Sequence, residues 1–185
     1  MFNKAVRKNV KLKMAIAGAS GTGKTYTALS IAAGLGKKIA VIDTEGGSSQ
    51  MYADKFSFDI AIPKDNSPHT FRDLIKSAVE QKYDVLIIDS LSHEWDGIGG
   101  VLQLVEEAES TARNNFSAWR VPSRMHQELV YTILNEQIHI ICTLRTKIEY
   151  VLNYDEKTKK NYVSKVGLKP IQRDNIEYEF DIYAR

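Results

Sequence analysis

The chain has 185 residues and a mass of 20.9 kDa, with 25 Lys plus Arg against 23 Asp plus Glu, a net charge of +2. That length is enough for one compact domain with its own core, and the charge balance excludes a wholly basic, histone-like binder while leaving local patches open. At 43% hydrophobic and 26% charged residues the composition is that of a folded chain, and the lone Cys142 excludes a disulfide framework and a multi-cysteine zinc site.

In chain order, residues 11–17 read as a strand, and the glycine-rich loop 18–23 leads into a helix near 24–35. Residues 38–43 form a second buried strand, and 58–62 a weaker third closed by Pro63. Thr70, with Asp73 three residues on, is expected to open a helix as a capping box, its apolar stripe supplied by Leu74, Ile75, Ala78 and Val79. The clearest buried strand is 83–89, and a helical stretch follows over 98–110. Pro122 suits a helix start, with Met125, Leu129, Ile133 and Leu134 at helical spacing. Residues 139–143 are a further buried strand. Segments 148–154 and 161–166 flank the charged run 155–160 and read as a β-hairpin over 148–166, and 177–183 is strand-like. Continuous apolar strands separated by helices predict a mostly parallel sheet covered on both faces, so residues 1–185 read as one α/β domain. No run approaches the roughly 18 apolar residues of a membrane span, and residues 1–13 lack the apolar stretch of a secretory signal. No membrane association is expected, and the expected compartment is the cytoplasm.

Gly18-Ala19-Ser20-Gly21-Thr22-Gly23-Lys24-Thr25 matches G-x-x-x-x-G-K-[ST], between a predicted strand and a predicted helix as that chemistry requires. Glycines allow backbone N–H groups to wrap a phosphate, with the helix N-terminus behind them. Lys24 would neutralise the β- and γ-phosphates, and the Thr25 hydroxyl would bind Mg²⁺. The nucleotide-binding candidates are therefore Gly18, Ser20, Gly21, Thr22, Gly23, Lys24, Thr25 and the adjacent Tyr26. A triphosphate site also needs a carboxylate for the magnesium. Asp89 fits, at the C-terminal end of the most hydrophobic strand, with a helix-capping role as its plainer alternative. Residue 90 is Ser, so the base must come from elsewhere. Glu45, just after the second strand, is the candidate to activate water, unless it is an ordinary loop carboxylate. His93 and Glu94 are second candidates, or else solvated turn residues.

The phosphate loop, Ala40-Val41-Ile42-Asp43-Thr44-Glu45, Tyr52-Ala53 and Val85-Leu86-Ile87-Ile88-Asp89-Ser90 follow the order and spacing of the RecA-like recombinase ATPase core. More narrowly, residues 89–95 and 167–174 resemble the phage RecA-like ATPases used in single-strand annealing and recombination. The likeness covers essentially the whole chain. It implies a RecA-like P-loop NTPase fold, ATP and Mg²⁺ as ligands, and Glu45 as the catalytic base. It further implies Tyr52 stacked on adenine, where the residues alone favour plain packing. Thr143 falls at the position of the polar γ-phosphate sensor, where the bacterial recombinase carries a longer amide, and Arg145 follows it. ATP between the subunits of a homo-oligomer is implied too, with Lys169 or Arg173 (or Arg145) as a cation reaching a neighbour's γ-phosphate. The long N-terminal polymerisation helix of the full recombinases has no counterpart in residues 1–13, which leaves filament and ring assemblies both open. For a phage-encoded chain the compartment becomes the cytoplasm of an infected bacterium.

From Arg145 to Arg173 there are eight basic and three acidic residues, a local +5 within a chain of +2. Tyr150, Tyr154 and Tyr162 are interleaved with these charges, the combination that single-strand binding uses for phosphate neutralisation and base stacking. Lys157, Lys159, Lys160 and Lys165 are the candidate contacts; a solvated hairpin whose tyrosines pack on the core is the plainer alternative. The expected function is a Mg²⁺-dependent ATPase that couples ATP to single-stranded DNA. A nucleoside-type P-loop kinase and an ATP-gated binding module with little turnover are the alternatives.

Overall fold

The computed structural model describes residues 3, 4, 6, 10–110, 114–155 and 159–185, without the side chain of Asp155. Lys157, one of the candidate DNA contacts, lies outside them. Strands β1 (Lys13–Gly18), β2 (Ile39–Asp43) and β4 (Val85–Asp89) have alternate side chains buried on opposite faces. Helix α1 (Lys24–Leu35) covers one face: its Ala28, Leu29 and Ala32 pack against Ile16, Val41, Val85 and Ile87. On the other face, Phe71 and Ile75 of α2 (Pro68–Glu80) join Leu129 and Ile133 of α6 (Arg120–Asn135) over Ala15, Leu86, Ile88 and Ile140. Burial on both faces is why these strands read as unbroken apolar runs.

The sheet order is β3-β2-β4-β5-β1-β7, with β3 (Asp59–Ala61) and β7 (Ile182–Ala184) as edges and every pairing along it parallel. Strand β5 (His139–Asp155) therefore lies between the strand leading into the phosphate loop and the strand ending in Asp89. Ligands gather at the C-terminal ends of such strands. Helices α3 (Ser92–Asp96), α4 (Val101–Glu109) and α5 (Asn115–Ala118) follow β4, and Val101, Val105 and Ala118 form a small separate cluster beneath Trp95 and Trp119. The architecture is the expected α/β P-loop NTPase fold.

Four local expectations change. Helix α2 starts at Pro68, and its cap is Ser67, whose hydroxyl accepts from the Thr70 N–H at 3.3 Å. Thr70 instead donates its hydroxyl proton to Asp65 at 2.7 Å, so the capping box with Asp73 does not form. The second change concerns 98–110, where the helix is confined to α4, because residues 97–100 turn through three glycines. Residues 139–143 and 148–154 are not separate strands but one 17-residue strand, β5. It stays continuous because β1 pairs it as far as Arg145 and β6 (Lys160–Pro170) takes over antiparallel at Thr146. Finally, the strand expected at 177–183 is largely a 3-10 turn, Ile176–Glu179; only β7 pairs, where the Asp181 N–H bonds Lys13 O at 2.9 Å and draws it onto β1.

The β5–β6 ribbon leaves both faces open. Leu152 and Val163 pair directly yet remain 65% and 63% exposed, and Tyr150, Tyr154 and Tyr162 are also exposed. The tyrosines therefore do not pack on the core. Among the described residues, no helix is long and apolar enough to cross a membrane.

Candidate active site

The phosphate loop turns between β1 and α1, and its shape excludes side chains at two glycines. A Cβ on Gly18 would meet Thr22 Oγ1 at 2.6 Å, and Thr22 needs that place to donate to Ala19 O at 2.9 Å. Gly23, which caps α1, has φ 83°, a left-handed conformation that disfavours side chains. No side chain caps this helix and its first turn holds no acid, so its first N–H groups face the cleft as anion donors. Lys24 is buried and donates to Ala19 O at 2.8 Å. Burial lowers its pKa, opposed by the nearby Glu45 and Asp89 carboxylates.

Thr25 donates its hydroxyl proton to Asp89 Oδ2 at 2.6 Å, bringing together the two groups expected to hold magnesium. Two hard oxygen donors at the rim of a phosphate-binding loop suit Mg²⁺, which takes few protein ligands and completes its shell with phosphate and water. The other Asp89 oxygen accepts from Thr143 Oγ1 at 2.5 Å. Asp89 thus faces the cleft rather than capping a helix, since α3 begins at Ser92. Thr143 is fully buried behind Asp89 and does not line the cleft. Its contact with the site is the bond to the Asp89 carboxylate.

Glu45 is placed by a residue that sequence reasoning passed over. The buried Asp43 accepts from the N–H groups of Glu45 (2.8 Å), Gly47 (3.1 Å) and Ser49 (2.9 Å) and from the Ser49 hydroxyl. These bonds fold residues 44–49 around the end of β2 and aim Glu45 into the cleft. An Asp followed by small residues and Ser is the local signal for such a turn. Arg145 comes from β5 and pairs with Glu45, Nε to Oε1 at 3.2 Å.

The cleft has a volume of about 210 Å³ and is lined by Ser20, Gly21, Gly23, Lys24, Thr25, Glu45, Ser48, Met51, Tyr52, Asp89 and Arg145. Tyr52 lines it while its ring packs edge-on to Tyr26 at 5.8 Å. Tyr26 itself stacks edge-on to Phe56 at 5.4 Å and lies behind the cleft.

Several candidates lie elsewhere. Glu94 is neither a base in this cleft nor a solvated turn residue. It is fully buried and bonded to His126 Nδ1 at 3.0 Å and Gln172 Nε2 at 2.9 Å. His93 does not line the cleft either; its ring is held between Thr44 and Arg145. Lys169 pairs with Asp174 at 2.7 Å, and with Arg173 it lines a different groove, of about 560 Å³. Lys159, Lys160 and Lys165 are exposed along the ribbon, with Lys165 opposite Tyr150.

A comparison with family models matches an AAA domain over residues 10–185, nearly the whole chain. The chain belongs to this AAA-domain family. Membership indicates nucleotide binding and ATPase activity. A search of curated proteins returned no match.

Proposed function

We propose that this AAA-domain protein is a Mg²⁺-dependent ATPase that couples ATP binding and hydrolysis to single-stranded DNA, in recombination or annealing of the phage type. The observation that carries the coupling is the continuity of β5. One strand bears Thr143 on the Asp89 carboxylate, then Arg145 in the cleft, then Lys147 and the exposed ribbon. A shift at Asp89 or Arg145 is thereby a shift of the ribbon root.

In the cleft, loop N–H groups and Lys24 receive the phosphates, Lys24 exchanging Ala19 O for phosphate oxygen. Thr25 and Asp89 would hold magnesium, which would supply charge neutralisation to the bound phosphates. Glu45 accepts the proton of the attacking water, and Arg145 moves from Glu45 toward the charge on the transferring phosphoryl group. Tyr52 faces the base.

DNA would lie along the ribbon and in the groove at its root. There Trp95 and Trp119, their rings 6.1 Å apart, adjoin Lys147, Lys169 and Arg173. Aromatic platforms beside cations suit sequence-tolerant stacking and phosphate neutralisation. Lys169 and Arg173 stand outside their own chain's cleft, as residues serving a neighbour's ATP in a homo-oligomer would. The compartment follows the host: bacterial cytoplasm for a phage protein.

The test measures ATP turnover with and without single-stranded DNA, alongside intrinsic fluorescence. Both tryptophans of the chain lie in the groove, so their emission reports it alone. The proposal expects stimulated turnover and altered emission on adding oligonucleotide. Turnover that ignores DNA but requires a nucleoside acceptor would instead mark a kinase, and ATP-dependent DNA binding with no turnover a gated binder.

A further inference from the structure

Arg145 makes two side-chain contacts: Nε with Glu45 Oε1 at 3.2 Å, and Nη1 with His93 Nε2 at 3.0 Å. A guanidinium only donates, so His93 Nε2 must be the acceptor and carry no proton. The neutral ring then holds its proton on Nδ1, which lies 2.6 Å from Thr44 Oγ1. The Thr44 hydroxyl closes the assignment. Its oxygen also accepts from the Ser90 N–H at 2.8 Å, and its own proton points to Ser90 O at 3.2 Å. With the opposite tautomer, Nε2–H would face Arg145 N–H, two donors with no acceptor between them.

Thr44 stands beside Glu45 and Ser90 beside Asp89, so the ring is tied to both segments that carry the cleft carboxylates. We infer that His93 is a positioning residue: a neutral, Nδ1-protonated imidazole that fixes Arg145 against Glu45 and so sets where the base and the cation stand when ATP arrives. This rests on the reading of the cleft as a hydrolytic site. His93 acts through Arg145 and does not touch the nucleotide cleft.

Two measurements on the full chain test it. Long-range proton–nitrogen spectra resolve the ring nitrogens of the four histidines. One signal set, absent from His93→Gln, should have Nδ1 protonated and Nε2 bare, and Nε2 should shift in Arg145→Met. A His93 protonated at Nε2, or on both nitrogens, overturns the inference whether or not the protein hydrolyses ATP. Loss of turnover in the wild type with the expected tautomer would sink the hydrolytic reading while leaving the His93–Arg145 geometry standing.

Kinetics separate positioning from simple support. Gln can present an oxygen near the Nε2 position and keep Arg145 in place; Asn keeps only the donor toward Thr44. His93→Ala and His93→Asn should lower kcat about tenfold or more with KM for ATP changed less than about threefold, and His93→Gln should recover most of kcat. Equal loss in the Gln and Asn variants, or kcat unchanged in His93→Ala, overturns the role.

Discussion

The phosphate cleft and the β5–β6 ribbon share a strand, and they are built on opposite terms. In the cleft Lys24, Thr25, Glu45, Asp89 and Arg145 each have a partner within the chain. Lys24 is on Ala19, Thr25 and Thr143 are on Asp89, and Glu45 is on Arg145. In the ribbon, Tyr150, Leu152, Tyr154 and Val163 meet solvent on a two-stranded arm that no other described element covers. A two-stranded ribbon gains little stability alone. The difference separates the two halves of the proposal: the chemistry is placed in an internally bonded cleft, and the DNA engagement on an open ribbon.

The largest effect expected from breaking the comparison is at its cleft end. Lys24→Ala removes the buried cation and should reduce ATP turnover at least about a hundredfold, read by steady-state hydrolysis. Thr143→Val takes one donor from Asp89 while leaving the cleft lining intact. Turnover should fall about tenfold, with a smaller loss in ATP binding measured by calorimetry. A variant with full turnover would leave Thr143 without a part in the chemistry of the cleft.

At the ribbon end, Lys159, Lys160 and Lys165 changed together to Gln should flatten the salt dependence of single-stranded DNA binding. The expected change is a slope lower by roughly 0.7 per lost phosphate contact. Because these side chains are exposed, the melting temperature should move by no more than about 2 °C. An unchanged slope would confine DNA to the tryptophan groove.

The smallest effect is a pH term in stability from Lys13, which is buried and donates to Glu136 O and Ile138 O, both at 2.8 Å. Burial lowers its pKa from the ordinary 10.5 to about 8. Between those values the unfolded chain binds more protons than the folded one, so Lys13 makes stability rise with pH across that window. The melting temperature of the wild type minus that of Lys13→Met should therefore climb between about pH 8 and 10.5; a flat difference would refute the shift.

Most of the frame was legible in the sequence, because the features that fix it are local. Double-faced burial wrote β1, β2 and β4 as apolar runs, and the phosphate loop requires its glycines at fixed spacing. Asp89 was legible from its place at the end of β4. What escaped depends on contacts distant in sequence. The merging of two expected strands into β5 needed the hand-over from β1 to β6, which residues 144–147 do not announce. Glu94 looked like a turn carboxylate because its partners, His126 and Gln172, lie 32 and 78 residues away. Asp43 was hidden by the candidate base two positions on, and His93 by the lack of any local sign that Arg145 would meet it.

The central claim is that Glu45 is the base of an ATP-hydrolysing cleft, and Glu45→Gln tests it most directly. The variant keeps the shape of the residue and its bond from Glu45 N–H to Asp43. ATP binding and single-turnover hydrolysis should be measured together on the same preparation. The account predicts ATP binding within a few fold of the wild type and a turnover rate lower by about a hundredfold or more. Turnover within a few fold of the wild type would contradict it and return the search for the base to the rest of the cleft.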